Sequence, residues 1–118
     1  MLEQNGWLIN GTDFPIEDIS PLKTFYAAVA RKDLKGRPKK GFQTENALSR
    51  EDALRSITIW PAKGSFDESR KGSITPGKVA DFVMLNNNLM TAKEGDLFKN
   101  KVLSTYVNGV KVYPASGR

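Results

Sequence analysis

The hydrophobic positions of this 118-residue chain predict helices in its first half and strands in its second half. Near the start, residues 7–12 begin with the apolar residues Trp7, Leu8 and Ile9 and are predicted to form a short buried strand, which stops at Asp13. A helix is predicted from Pro21 to about Arg31, because Ser20 and Pro21 are favoured residues for a helix start. Its apolar side chains recur at helical spacing, at Leu22, Phe25, Tyr26 and Val29. That spacing gives the helix one face that can pack on a sheet.

A second helix is predicted to begin at Ser49, whose hydroxyl can cap the first turn while Asp52 reaches back to the cap amide. Its buried stripe is formed by Ala53, Leu54 and Ile57. Pro61 lacks an amide proton, so we expect a break near Trp60. A short helix that starts at Pro61 and runs through Phe66 fits the residues that follow.

From Gly72 onward the pattern is typical of strands and tight turns. Pro76 and Gly77 suit the central positions of a type II turn, since proline sets the first φ and glycine accepts the positive second one. The strand predicted over 80–85 ends in four apolar residues and is therefore expected to be covered on both faces.

The clearest local signal is a β-hairpin near the end of the chain. Strands are predicted over 102–107 and 110–113, and Asn108 and Gly109 lie between them. Both residues tolerate the positive φ angles of a type I′ turn. Together these elements predict an α+β fold.

The formal net charge of +5 is concentrated in one short stretch, residues 31–40. Its basic residues are Arg31, Lys32, Lys35, Arg37, Lys39 and Lys40, and its one acid is Asp33. Nucleic-acid-binding surfaces usually combine spread-out cations with aromatic residues, and this stretch contains no aromatic residue. A solvated loop is favoured, with binding of an anion as the alternative.

The chain contains no cysteine and no histidine. Disulfides and thiolate metal sites are therefore excluded, and carboxylates alone make a poor zinc site. No run of eighteen apolar residues is present, and the first fifteen residues include Glu3, Gln4, Asn5 and Asp13, so neither a membrane span nor a signal peptide is expected. The cellular compartment is not assigned by any of these features.

Asp13 is the main candidate for chemistry, because a carboxylate at the carboxyl end of a strand is held at the rim of a sheet or barrel. That position suits a metal ligand or a general base, although an Asx turn explains the residue equally simply. Glu17 and Asp18 do not have the spacing of a calcium loop and fit better as acids at a helix start.

Several segments resemble the metal-dependent amidohydrolases, specifically amidohydrolase family 3 and its exoenzyme-regulatory-protein-like subgroup. The resemblance spans about residues 7–113. The segments that carry it are Gly11-Thr12-Asp13-Phe14-Pro15, Tyr26-Ala27-Ala28-Val29-Ala30-Arg31, Leu48-Ser49-Arg50-Glu51-Asp52-Ala53-Leu54, Thr58-Ile59-Trp60-Pro61-Ala62, Gly72-Ser73-Ile74-Thr75-Pro76-Gly77-Lys78-Val79-Ala80-Asp81 and Val107-Asn108-Gly109. A complete (β/α)₈ barrel needs about 250 residues, so the resemblance implies a C-terminal fragment.

The resemblance implies that residues 1–66 hold the last barrel strand, the catalytic turn and the terminal helices. Residues 67–118 would then be the C-terminal part of a composite β-sandwich.

The resemblance also implies the chemistry of the site. Asp13 would bind a divalent metal, zinc, and move protons during hydrolysis of a carbon-nitrogen bond in a small-molecule substrate. Phe14 and Arg31 are weaker candidates for substrate contacts. The remaining metal ligands would lie outside this chain, which by itself is expected to be inactive.

Two further expectations concern partners. The strand over 7–12 would lack both of its barrel neighbours, so the isolated chain is expected to self-associate. The alternative to an enzyme fragment is a freestanding α/β binding module, whose basic loop over 31–40 would hold an acidic partner or nucleic acid.

Overall fold

The computed structural model describes residues 2–114, which form four α-helices, two 3₁₀ helices and one antiparallel sheet. The α-helices are α1 (Leu2–Asn5), α2 (Pro21–Ala30), α3 (Arg50–Ser56) and α4 (Ile59–Gly64). The 3₁₀ helices are Thr44–Asn46 and Glu94–Lys99. The strands are β1 (Phe82–Leu85), β2 (Val102–Val107) and β3 (Val110–Tyr113). The predicted α+β class is confirmed.

Helix α2 lies where it was predicted, with Pro21 in its first turn. It ends at Ala30, because Arg31 adopts a left-handed conformation with φ of 54°. The Arg31 amide donates to the carbonyl of Ala27 at 3.0 Å, which closes the last turn. Ser20 precedes the helix without a side-chain capping bond.

Ser49 caps α3 as predicted, since its Oγ accepts from the Asp52 amide at 3.0 Å. The second half of the predicted capping box is wrong. The Asp52 carboxylate accepts from the Ser49 hydroxyl at 2.8 Å and does not reach the cap amide. The break between α3 and α4 falls at 57–58, before Trp60, and Pro61 lies within the first turn of α4. Proline is tolerated there because the first amides of a helix need no intrahelical partner.

The predicted strand over 7–12 is wrong in this structure: the segment is extended but forms no strand. A strand requires a paired neighbour, and among the described residues its one backbone hydrogen bond joins the Asn10 amide to the Ser56 carbonyl at 3.0 Å. The Asn10 side-chain amide also donates to Ser56 Oγ at 3.4 Å. The segment is therefore held against the end of α3, and no sheet holds it.

The C-terminal strands form a sheet in the order β1-β2-β3, with both pairs antiparallel. The hairpin between β2 and β3 is confirmed, with φ of 51° at Asn108 and 76° at Gly109. The turn at Pro76 is also confirmed: Gly77 has φ of 92°, and the Lys78 amide donates to the Thr75 carbonyl at 3.1 Å.

The expectation that β1 is covered on both faces is wrong for this structure. Val83 and Met84 are 52% and 51% exposed. In the described residues the sheet has three strands and β1 lies at its edge. Neither a closed barrel nor a second sheet is present in this part of the chain, so the composite sandwich stays a prediction.

The core forms where α2 packs on α3 and on the 3₁₀ helix Glu94–Lys99. Phe25 and Leu97 are completely buried in it. The core thus joins residues from both sides of the boundary expected near residue 66, and the division into 1–66 and 67–118 stays a prediction. No helix among residues 2–114 has the length and hydrophobicity needed to span a membrane.

Candidate functional site

Asp13 lies on the surface, at the start of a tight turn that ends at Ile16. Its backbone is left-handed with φ of 49°, and its carbonyl accepts from the Ile16 amide at 2.8 Å. The turn places the Asp13 side chain immediately after the extended segment over 7–12. Its carboxylate is exposed and has no hydrogen-bond or ion-pair partner among residues 2–114.

A metal site is not formed by the residues that the structure describes. No group of three or more carboxylate, histidine or cysteine side chains comes close enough there to hold an ion. Asp13 supplies one carboxylate, and a catalytic metal normally needs about three protein ligands. The residues of this part of the chain therefore do not fit a bound metal by themselves.

A cleft of about 430 Å³ lies between the extended segment and α2. Gly11, two positions before Asp13, and Arg31, just beyond the end of α2, both line it. The other lining residues are Leu8, Ile9, Asn10, Glu17, Thr24, Ala27, Ala28, Asn46 and Leu48. Of the predicted site residues, Arg31 lines the cleft, whereas Asp13 and Phe14 do not.

Arg31 is held firmly at this position. Its Nε donates to the Phe42 carbonyl at 3.0 Å, and its own carbonyl accepts from the Phe42 amide at 2.8 Å. These bonds fix the guanidinium, so its other N–H groups have a defined direction. Phe14, in contrast, is 63% exposed.

The basic loop is ordered by Asp33. One oxygen of its carboxylate, Oδ1, accepts from the amides of Lys35 and Arg37, both at 2.8 Å. The Gly36 amide donates to the Asp33 carbonyl at 2.9 Å. The Tyr26 hydroxyl donates to the same carbonyl at 3.3 Å, which ties the loop to α2.

The Lys32 ammonium forms an ion pair with Glu94, which lies outside the loop, at 2.6 Å. The hydrogen bond that Lys32 donates to Glu94 raises the pKa of Lys32, and burial raises the pKa of Tyr26 beside it. Sequence reasoning missed Asp33 and Phe42 as organisers of this region. The spacing of Asp33 and Gly36 is a usable turn signal, but the contact of Phe42 with Arg31 depends on tertiary structure.

The fold defines the chain as a small α+β unit, and Asp13 is a surface carboxylate within it. A family model described as "Amidohydrolase family" matches residues 1–113, and the chain belongs to this family. The resemblance seen in the sequence is thereby confirmed.

Three curated relatives are similar to this chain in sequence. Protein LONG AFTER FAR-RED 3 from Arabidopsis thaliana is 36% identical over 97% of this chain. An N-substituted formamide deformylase from Arthrobacter pascens is 36% identical over 90% of it, and the putative amidohydrolase YtcJ from Bacillus subtilis (strain 168) is 28% identical over 90%. The chain spans only 19%, 19% and 20% of their respective lengths.

A solved structure is also similar, that of an amidohydrolase from Thermotoga maritima MSB8. It is 36% identical, with a TM-score of 0.47, and the match covers 58% of this chain and 16% of that protein.

Proposed function

We propose that this chain supplies part of a hydrolase that cleaves carbon-nitrogen bonds of the non-peptide amide type in a small molecule. Family membership supports hydrolysis, and the relative named N-substituted formamide deformylase supports the bond class. The observation that carries the proposal is the free carboxylate of Asp13, which follows the extended segment at the position that the family resemblance marks as catalytic.

In this proposal Asp13 moves a proton in two steps. Its carboxylate accepts a proton from water as the water oxygen attacks the carbonyl carbon of the substrate. The same carboxyl group then gives the proton to the nitrogen as the carbon-nitrogen bond breaks. A positioned general base of this kind contributes about 10²–10⁴-fold in rate.

The intact enzyme is proposed to hold a divalent metal, zinc by the family resemblance, close to Asp13. Since the described residues do not form a metal site, most ligands would come from polypeptide outside these 118 residues. Arg31 is proposed as a substrate contact because it lines the cleft beside Gly11, and Phe14 because its exposed ring follows Asp13.

The isolated chain is proposed to be inactive, because residues 2–114 offer one candidate acid and no assembled metal site. Metal analysis and an assay with N-substituted formamides on the purified chain check this. Stoichiometric zinc together with turnover would overturn it.

The role of Asp13 can be tested in a chimera. The segment of the Arthrobacter deformylase that aligns over 106 residues is replaced by this chain, and deformylation is measured. Asp13→Asn should lower kcat by about 10²–10⁴-fold, whereas Asp18→Asn should leave it nearly unchanged. An active chimera that tolerates Asp13→Asn contradicts the assignment.

A binding module that acts through the basic loop is the second candidate, favoured by the ordered loop around Asp33. Salt-dependent binding of nucleic acid, lost when Lys35, Arg37, Lys39 and Lys40 are neutralised, would support it over the hydrolase.

A further inference from the structure

A small hollow of about 280 Å³ lies between the end of α2 and the basic loop. It shares Ala27 and Arg31 with the cleft at Gly11 but differs from it in that all of its polar lining residues are charged. Three cationic residues line it, together with one acid and three apolar residues. The cations are Arg31, Lys32 and Arg37.

The charges within the hollow are unequally neutralised. Lys32 is paired with Glu94 at 2.6 Å, and one oxygen of the Asp33 carboxylate, Oδ1, accepts from two backbone amides of the loop. Neither Arg31 nor Arg37 has a carboxylate partner among the described residues. The Arg31 and Arg37 guanidinium groups therefore bring two positive charges to the lining, against the one negative charge of Asp33.

The hollow is built before any ligand arrives. The Arg31 guanidinium is fixed by its bond to the Phe42 carbonyl, and the Arg37 backbone is fixed by Asp33. Binding usually loses entropy because side chains and loops must become ordered. In this hollow, part of that ordering is already present in the folded chain.

The remaining wall is apolar. Ala27, Pro38 and Phe42 line it, and the Phe42 side chain is 60% exposed. A guanidinium presents a planar fork that matches a carboxylate. An exposed aromatic ring beside the fork adds a surface that a hydrated inorganic anion cannot use.

We propose that this hollow binds a small organic carboxylate, with its carboxylate on Arg31 and Arg37 and its apolar body on Phe42. The proposal does not depend on hydrolysis or on Asp13, and it is tested on the 118-residue chain by binding alone.

Benzoate is the probe, benzamide is its neutral counterpart, and inorganic phosphate is the anion without an apolar body. Amide NMR spectra of the chain are recorded during each titration. Benzoate should shift the amides of Arg31, Arg37 and Phe42 in a saturable way, benzamide should not, and phosphate should bind at least several-fold more weakly.

Variants separate a built site from general attraction to a basic loop. Arg37→Gln keeps the backbone bonds of the loop and the Arg31 contacts, and it should weaken benzoate binding about tenfold or more. The double variant Lys35→Gln, Lys39→Gln removes more charge from the same loop outside the hollow, and it should change binding less than twofold. Phe42→Ala should weaken benzoate binding and leave the weak phosphate response unchanged.

Three results would overturn the proposal: no saturable shift with benzoate, equal weakening by Arg37→Gln and by the double lysine variant, or phosphate binding as tight as that of benzoate. A spectrum of Arg37→Gln that matches the parent spectrum outside the loop verifies that the variant is folded.

Discussion

The rings of Tyr26 and Phe98 meet edge to face, with centroids 4.8 Å apart and planes at 61°. This contact joins α2 to the 3₁₀ helix Glu94–Lys99, which the hydrophobic pattern did not predict. Beside it, Leu97 is completely buried. The C-terminal part of the chain therefore contributes directly to the core around α2.

Leu97→Ala should lower the free energy of unfolding by about 3 kcal/mol, because it leaves a cavity in a fully buried site. Leu34→Ala is the matched control, since Leu34 is 47% exposed and should cost much less. Urea unfolding of both variants measures the difference. Equal losses would show that the packing around Leu97 does not hold the core together.

Gly72 and Gly77 make a matched pair for testing turn geometry. Both have positive φ, 88° and 92°, but only at Gly72 would a Cβ meet other atoms, with Ala62 Cβ at 2.7 Å and Ile59 Cα at 3.0 Å. Gly77→Ala should cost about 1 kcal/mol through its backbone conformation. Gly72→Ala should cost clearly more, since α4 lies against it. Thermal or urea unfolding that ranks the two variants in the opposite order would contradict the close approach.

Stability should fall at alkaline pH. The Glu94 hydrogen bond raises the pKa of Lys32 above 10.5, and burial raises the pKa of Tyr26 above 10.0. A raised folded-state pKa gives stability that is fully present below the unfolded value and lost as pH rises through the folded value. The free energy of unfolding should therefore change little from these groups up to about pH 10 and fall above it.

Glu94→Gln should make that alkaline fall smaller, because it removes the partner that raises the pKa of Lys32. Glu45→Gln removes an acid in the other 3₁₀ helix and serves as the control. Urea unfolding across the alkaline range compares the two. Identical pH profiles for Glu94→Gln and the parent chain would show that the pair does not contribute.

Asp13 should matter little for stability. Its carboxylate makes no bond within the described residues, so Asp13→Asn should change the free energy of unfolding by less than about 0.5 kcal/mol. Asparagine also tolerates the left-handed backbone at this position, whereas Asp13→Ala should cost about 1 kcal/mol. A large loss in Asp13→Asn would mean that the residue has a structural role, and the chimera experiment would then need another variant.

Self-association of the isolated chain is proposed from the segment over 7–12, where Ile9 is 53% exposed and backbone pairing is sparse. Ile9→Lys should reduce association, and Val112→Lys, on the exposed strand β3, should not. Light scattering after size-exclusion chromatography measures the mass over a range of concentrations. A monomer at every concentration would contradict the proposal.

Local chemistry was enough to predict much of the fold. The hairpin at Asn108, the turn at Gly77 and the cap at Ser49 depend on residues within a few positions of each other, and all three are present. The strand over 7–12 could not be predicted correctly from its apolar pattern, because a strand exists only when another strand pairs with it.

The candidate site likewise contains features that the sequence predicted and features that it did not. Asp13 was identified from its place after an apolar segment and from family resemblance, and its catalytic role stays a prediction. The ordering of the basic loop by Asp33 was not identified, although the spacing of Asp33 and Gly36 is a usable local turn signal. The bond from Arg31 to the Phe42 carbonyl was not identified because it joins residues that meet only in the folded chain.

The sequence by itself determined the amidohydrolase family, the α+β class and the turns, since these follow from motifs and from the φ preferences of single residues. Tertiary structure alone decided that 94–99 completes the core around Phe25. It also decided that Arg31 and Arg37 share one hollow. These features depend on which distant surfaces meet during folding, and no local preference encodes such a meeting.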